Sequence, residues 1–222
     1  MERFIPEIMG TLRKHIVEVP QCIRRATGIK IFGKRIKSIA FTTDVAIIKN
    51  INADAIIAVY PFTPQPVITK AITMTADVPV FSGVGGGVTT GKRVVNLALD
   101  AEFEGAIGVV VNAPTSNNTI MAVRATIDIP IVVTVISEKT DIQERLNAGA
   151  NIINVSGANK TIDIVRKIRK KFPQVPIIAT GGPSDETILE TIAAGANAIT
   201  FTPPTPADLF KISMDKYRKE LG

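Results

Sequence analysis

The sequence is poor in the residues that form disulfides, catalytic triads and membrane spans. Its 222 residues include one cysteine, one histidine and no tryptophan, and aromatic residues make up 5%. A single cysteine excludes an internal disulfide, and a site without His15 cannot hold a Ser-His-Asp or Cys-His arrangement. No apolar run approaches the roughly 18 residues that cross a bilayer. The composition therefore predicts a cytoplasmic protein with no membrane partner.

Patterns for metals and nucleic acids are also scarce. No cluster of His, Cys and carboxylates has transition-metal spacing, so we predict no metal ligands and no cofactor, with flavin and magnesium left open. The net charge of +6 comes from residues 1–37, which hold nine Lys or Arg and three Asp or Glu. Few aromatics are available to stack on bases, so we expect a solvated edge or a subunit contact of a homo-oligomer rather than a nucleic-acid site.

What the chain has is a repeated pattern in an apolar composition. The composition, 45% hydrophobic and 21% charged, is that of a chain able to bury a large core. A proline opens three strand-like runs, and a Gly-Ala pair ends three helical patterns, at spacings of 44 to 51 residues. The prolines are Pro79, Pro130 and Pro176; the glycines are Gly105, Gly149 and Gly195. Each period is long enough for two βα units.

Counting these units predicts a (βα)₈ TIM barrel. Eight apolar runs have strand character: 38–43, 55–60, 78–83, 106–112, 129–136, 151–156, 175–180 and 197–202. Near-continuous Val, Ile and Ala runs are typical of parallel strands buried on both faces, and amphipathic segments separate them. We predict one domain over 1–222, with eight βα units in 38–222. The extension 1–37 would hold a helix with Ile5 to Ile16 on one face and a small hairpin covering the N-terminal mouth.

Active sites of TIM barrels lie at the C-terminal ends of the strands, so the polar residues there are the predicted site. Placing polar side chains toward the barrel axis gives one ring: Thr42, Asp44, Tyr60, Ser82, Asn112, Thr134, Asn154, Ser156, Thr180 and Thr202. The alternative is a solvated rim that tolerates Thr, Ser and Asn. Asn154 argues best for a site, because a buried amide without partners costs about 1 to 3 kcal/mol.

Two carboxylates follow strands and are the candidates for proton transfer. Asp44 ends the first strand and Glu138 follows the fifth. A carboxylate partly buried in a barrel mouth can act as a general acid or base. The structural alternatives are that Asp44 caps the next helix and that Glu138 is a solvated loop residue.

A glycine-rich segment after the third strand is the most unusual part of the sequence. It contains Gly85, Gly86 and Gly87 and then Lys92, and it nearly matches a phosphate-binding P-loop. Arg93 stands where that motif needs Ser or Thr, so we reject an NTPase. Glycine amides can still converge on an anion or a carbonyl, and Lys92 can add charge. The alternative is a loop that needs glycine only for its turns.

Ile177-Ile178-Ala179-Thr180-Gly181-Gly182 resembles the seventh strand of the ribulose-phosphate-binding barrels. The resemblance implies phosphate binding by Gly181 and Gly182 with a helix N-terminus. The sequence departs from that family at Phe201-Thr202-Pro203-Pro204, where two prolines supply no N–H. Gly181 and Gly182 could instead receive the phosphate of a flavin.

The chain also resembles an uncharacterised family of small bacterial barrels often labelled hydrolase. The segments that carry this resemblance are 42–44, 60–65, 83–87, 112–114 and 201–204. The label implies no defined reaction. Together these observations favour a metal-independent acid-base enzyme acting on a small polar, optionally phosphorylated metabolite: an isomerase, epimerase, lyase or hydrolase. The alternative is a non-catalytic barrel that binds or senses a metabolite.

Overall fold

The computed structural model describes residues 16–221 and the separate positions 6, 8, 10 and 11. Eight parallel strands close into one barrel in the order β10-β3-β4-β5-β6-β7-β8-β9. The barrel strands are β3 (Ser38–Phe41), β4 (Ala55–Ala58), β5 (Val80–Gly85), β6 (Gly108–Val111), β7 (Ile131–Val135), β8 (Ile152–Val155), β9 (Ile177–Thr180) and β10 (Ala198–Phe201). The predicted TIM barrel is confirmed.

A helix follows each barrel strand. The helices are α1 (Val45–Lys49), α2 (Pro66–Thr75), α3 (Lys92–Phe103), α4 (Asn117–Arg124), α5 (Ile142–Asn147), α6 (Thr161–Lys171), α7 (Asp185–Ala193) and α8 (Pro206–Leu221). Most of the predicted N-terminal helix, including His15, lies outside the described residues, and the predicted domain limits stay a prediction. No helix in the described part of the chain has the length and apolarity to cross a bilayer.

Alternation along the strands produces two apolar cores. One set of side chains fills the barrel and the other set packs under the helices. The inner set includes Ile39, Ile57, Phe81, Val110, Val132, Ile152, Ile178 and Ala198. Phe81 is fully buried, and Gly108 on the neighbouring strand makes room for it, because a Cβ at Gly108 would lie 2.9 Å from the Phe81 ring. The barrel is therefore a packed core and not a channel.

The predicted hairpin closes the N-terminal mouth. Its strands are β1 (Ile29–Ile31) and β2 (Lys34–Ile36), which pair antiparallel. Ile29, Ile31 and Ile36 are buried in the same cluster as the inner side chains of the barrel. Apolar side chains on one face of the hairpin thus complete the barrel core from below, and the opposite mouth is the open one.

The repeated Gly-Ala-Asn segments hold neighbouring strands in register. Asn151 Oδ1 accepts the N–H of Ile131 at 2.9 Å, and Asn197 Oδ1 accepts the N–H of Ile177 at 2.9 Å. Asn197 also accepts a bond from Arg169 at 2.7 Å. Each asparagine directly precedes a strand, β8 or β10, and bonds to the first residue of the strand before it. The sequence repeat therefore reflects barrel assembly and not ligand binding.

The carboxylate of Asp54 links β3 and β4 in the same way. Asp54 Oδ2 accepts the N–H groups of Lys37 and Ser38, both at 2.9 Å, and Oδ1 pairs with Arg24 at 2.8 Å. Burial tends to raise the pKa of Asp54. The two N–H groups and the Arg24 guanidinium outweigh that tendency, so the pKa of Asp54 lies below its ordinary value.

Candidate functional site

The C-terminal mouth is polar on one side. From β6 to β10, alternation directs one polar side chain or more per strand toward the axis, above the apolar inner core. These residues are Asn112, Thr134, Asn154, Ser156, Thr180, Thr200 and Thr202. The structure thus brings together the predicted ring residues of the last five strands. Thr202 lies just beyond the end of β10 and is exposed.

Asn154 is the most deeply buried polar side chain of this group. It is 8% exposed, and its Nδ2 donates to Thr134 Oγ1 at 3.2 Å. Its Oδ1 is buried and has no hydrogen-bond partner within the described part of the chain. Leaving such an acceptor unpaired costs about 1 to 3 kcal/mol, so this oxygen is the strongest sign of a missing donor.

Hydroxyl groups form a chain beside Asn154. Thr200 Oγ1 lies 3.5 Å from Thr180 Oγ1, which lies 3.4 Å from Ser156 Oγ. Thr200 also donates to the carbonyl of Ala179 at 3.4 Å. Sequence reasoning missed Thr200, although it lies two residues before Thr202 and so points to the same face. Hydroxyls at these long distances can re-aim toward a ligand.

The other side of the mouth is apolar, and the predicted direction of Ser82 is wrong. Ser82 is buried under α2, where its Oγ lies 3.1 Å from Thr69 Oγ1. On β3, β4 and β5 the inner positions nearest the mouth are Phe41, Val59 and Gly83, and Val59 packs against the inner core. Ser82 faces the helices, where Thr69 of α2 supplies a hydroxyl partner.

The glycine loop lines a cavity of about 280 Å³ on this apolar side. Its lining includes Tyr60, Gly85, Gly86, Gly87 and Asn112, with Val59 and Phe62 among the apolar members. Gly86 has φ +113°, and a Cβ there would lie 2.4 Å from the Asn112 Cβ, so only glycine allows this approach. Tyr60 OH accepts the N–H of Gln65 at 2.9 Å. Lys92 is exposed at the start of α3, outside the lining of this cavity.

Asp44 begins α1 as its N-cap. Its Oδ1 accepts the N–H groups of Ala46 at 2.9 Å and Ile47 at 3.1 Å. Thr42 Oγ1 accepts the N–H of Asp44 at 3.1 Å, which fixes the turn between strand and helix. Both side chains are half-buried at the end of β3. Asp44 therefore has the helix-capping role that the sequence offered as the structural alternative.

Glu138 points away from the ring. Its Oε2 lies 3.8 Å from Lys167 Nζ on α6, and its backbone carbonyl accepts a bond from the same Nζ at 3.2 Å. Glu138 lines a cavity of about 250 Å³ between α5 and α6, whose apolar wall includes Ile164 and Phe172. The structure does not bring Glu138 together with Asp44 or Asn154.

The phosphate position implied by Gly181 and Gly182 is partly occupied by the protein itself. The Gly181 N–H donates to the Thr200 carbonyl at 3.4 Å. At the start of α7, the N–H of Glu186 and the Ser184 hydroxyl hold the carboxylate of Glu186 and lower its pKa. A negative side chain therefore already sits at the helix N-terminus that would attract a phosphate.

A second polar cavity, of about 480 Å³, lies between the loops that follow β6 and β7. Thr115 lines it and is 4% exposed, and its Oγ1 has no partner among the described residues. Arg145 fixes the loop by donating to the carbonyl of Ala113 at 3.0 Å and to Asn117 Oδ1 at 2.8 Å. Sequence reasoning found neither residue, because both lie outside the strand ends that it examined.

Among the described residues, no group of three or more His, Cys, Asp and Glu side chains is close enough to hold a metal ion. No protein-family model matches the sequence, and no curated protein sequence matches it. Its fold matches many solved structures.

Three of these structures show how varied the matching proteins are. A phosphonopyruvate hydrolase in complex with oxalate and Mg²⁺ has 14% identity and a TM-score of 0.60, over 90% of this chain and 84% of that one. A mandelate oxidase variant with a monooxide FMN adduct has 20% identity and a TM-score of 0.61, over 89% of this chain and 72% of that one. The 4-hydroxy-tetrahydrodipicolinate synthase of Methylacidiphilum fumariolicum SolV has 16% identity and a TM-score of 0.59, over 74% of this chain and 67% of that one. At these identities the likeness shows the TIM-barrel fold alone.

Proposed function

We propose that the protein is an enzyme that binds a small polar metabolite in the open mouth, with Asn154 as its central contact. The single observation that carries this proposal is the unpaired Oδ1 of a side chain that is 8% exposed. A ligand N–H or O–H would supply the missing donor. TIM-barrel enzymes have their sites at this end of the barrel, which agrees with the position of Asn154.

The ring favours an uncharged, hydroxyl- or carbonyl-bearing ligand. Its members are amides and hydroxyls, which donate and accept hydrogen bonds without carrying charge. The carboxylate of Glu186 lies in the first turn of α7, where its negative charge disfavours a phosphate. The apolar wall at Val59 and Phe62 gives the ligand one side to pack against without polar contacts. A phosphorylated ligand and a flavin are therefore the less favoured variants of this proposal.

For proton transfer we assign Asp44 ahead of Glu138. Asp44 lies at the rim of the mouth, and its Oδ1 is the oxygen that caps α1. Glu138 is directed to Lys167 instead. The three structural neighbours are enzymes that act on small organic molecules, which agrees with this proposal. They do not indicate whether the reaction is that of an isomerase, an epimerase, a lyase or a hydrolase. A non-catalytic, metabolite-binding barrel is the second candidate, since the ring contains no evident nucleophile.

The test begins with native mass spectrometry of the purified protein, followed by binding and turnover measurements with a panel of hydroxy, keto and phosphorylated metabolites. Asn154→Leu should weaken binding of the selected ligand at least about tenfold, because an unmatched polar contact is worth about 1 to 3 kcal/mol. Exposed Asn118 gives the matched control Asn118→Leu, which should bind normally. Unchanged binding by Asn154→Leu would contradict the site.

A second variant separates catalysis from binding. Asp44→Asn keeps a good N-cap, so the fold should be retained. We expect ligand binding to persist while turnover falls about 10²- to 10⁴-fold. Full activity in Asp44→Asn would remove Asp44 from the mechanism. Tight binding of a ligand without turnover by the unaltered protein would favour the non-catalytic barrel.

A further inference from the structure

Helix α8 is amphipathic, but the apolar side chains described in it are at most half-buried. Its sequence places Phe210, Met214 and Tyr217 on one stripe at i, i+4 and i+7, a spacing that normally packs against a core. None of the side chains described in α8 is buried; Phe210 is 70% exposed and Tyr217 is 52% exposed. Apolar side chains of this size in one stripe mark a surface that contacts another molecule.

Other residues take the place that α8 leaves free. Val19 and Ile23, in the segment before the hairpin, are 1% and 0% exposed and belong to the helix-facing core. Ile23 lies in a short 3-10 helix, Gln21–Arg25, that packs beside α7. These residues thus cover the helix-facing core here without α8, which leaves Phe210 and Tyr217 of the stripe exposed and Met214 half-buried.

A groove of about 630 Å³ runs between α8 and α1. Its apolar lining includes Ile16, Ile47, Leu209, Phe210 and Ile212. Ile212 is 68% exposed and Ile16 is 43% exposed. The exposed stripe of α8 and the apolar groove therefore share Phe210 and form one continuous surface. This is the arrangement that lets one surface pair with itself about a two-fold axis.

We propose that the occupant of this groove is α8 of a second copy of the chain, in a symmetric dimer. A 16-residue helix is about 24 Å long and about 10 Å wide, so α8 alone presents a face of about 240 Å². A stable interface needs about 800 Å² per partner. The contact must therefore extend over the groove wall on α1 and over residues 16–18, which line the same groove.

Apolar residues at the start of the chain support this extent. Ile16 lines the groove. Ile8 is 96% exposed, so the described residues provide no cover for this second apolar side chain. A second copy would bring both its α8 and its own Ile16 to this face. The proposal is independent of the metabolite site, because none of these residues belongs to the ring.

Light scattering coupled to size exclusion, at about 1 to 100 µM full-length protein, tests the proposal. We expect twice the chain mass of 23.8 kDa. Phe210→Glu should give a monomer, whereas Phe103→Glu, at an equally exposed phenylalanine on α3, should remain a dimer. A monomer at every concentration overturns the proposal and leaves residues 1–15 or another protein as the cover. A dimer that survives Phe210→Glu also overturns it, because the contact then lies elsewhere.

Cross-linking locates the contact. Ser213 is exposed in the groove lining, near the middle of α8. In a Cys22→Ser background, which removes the native thiol, Ser213→Cys should form a disulfide between two copies under mild oxidation. Asp128→Cys, on an exposed loop away from α8, should not. Equal cross-linking at both positions, or none at Ser213→Cys, contradicts the proposed pairing.

Discussion

Polar side chains at the two ends of the barrel differ in how fully they are hydrogen-bonded. At the N-terminal end, Asn197 accepts from Ile177 and Arg169 and donates to Thr27, and both oxygens of Asp54 are bonded. At the C-terminal end, Asn154 has one bond and an unpaired oxygen. The closed networks hold the strands together, and the incomplete one is where we propose that a ligand binds.

This comparison makes opposite predictions for the same substitution at the two ends. Asn197→Leu removes the acceptor for the N–H of Ile177 and for Arg169. We expect the free energy of unfolding to fall by about 2 to 4 kcal/mol, because a buried N–H is left unpaired. Urea denaturation measures it, with Asn118→Leu as the exposed control. A loss below about 0.5 kcal/mol would show that this network does not hold the strands.

Acid should weaken the N-terminal end through Asp54. Since its pKa is lowered by folding, the carboxylate adds stability above its unfolded pKa of about 3.9, and this stability is lost as the pH falls through the folded value. Asp54→Asn should cost about 1 to 2 kcal/mol at pH 7. The difference in the free energy of unfolding between wild type and Asp54→Asn should stay constant above about pH 5 and disappear below about pH 4. A difference that grows in acid would contradict a lowered pKa of Asp54 in the folded protein.

At the C-terminal end the same exchange should have the smallest effect and the opposite sign. Asn154→Leu removes an unpaired buried oxygen, so we expect the free energy of unfolding to rise by about 1 kcal/mol while ligand binding weakens at least about tenfold. Thermal unfolding without ligand measures the gain. A destabilisation of about 2 kcal/mol or more would mean that Asn154 supports the fold, as Asn197 does.

Sequence periodicity predicted the strands and the hairpin because apolar runs and turn glycines report directly on local backbone structure. The inward direction was right for Thr134, Asn154 and Thr180, whose neighbours along the strand are apolar and face the helices. It was wrong for Ser82, because a polar residue can also face a helix that offers a hydroxyl such as Thr69. Such a partner comes from packing and leaves no mark in the strand sequence.

The candidate site was predicted less completely for a related reason. Thr115 and Arg145 lie on a loop and a helix, and Arg145 finds its carbonyl partners only once that loop is folded. Glu138 follows a strand end, as a catalytic residue would, yet a lysine on α6 lies close enough to attract it. Positions after strands indicate where a side chain starts, but the partner across the fold decides where it points.

If a ligand binds as proposed, the apolar hairpin under the barrel also limits how that ligand is exchanged. Within the described residues, Ile29, Ile31 and Ile36 close one end of the barrel and Phe81 fills its middle, so the proposed binding site opens at the C-terminal end. Whatever enters has to leave by the same route before the next molecule can be admitted. Any compound that binds Asn154 should therefore compete directly with the ligand of the proposed site.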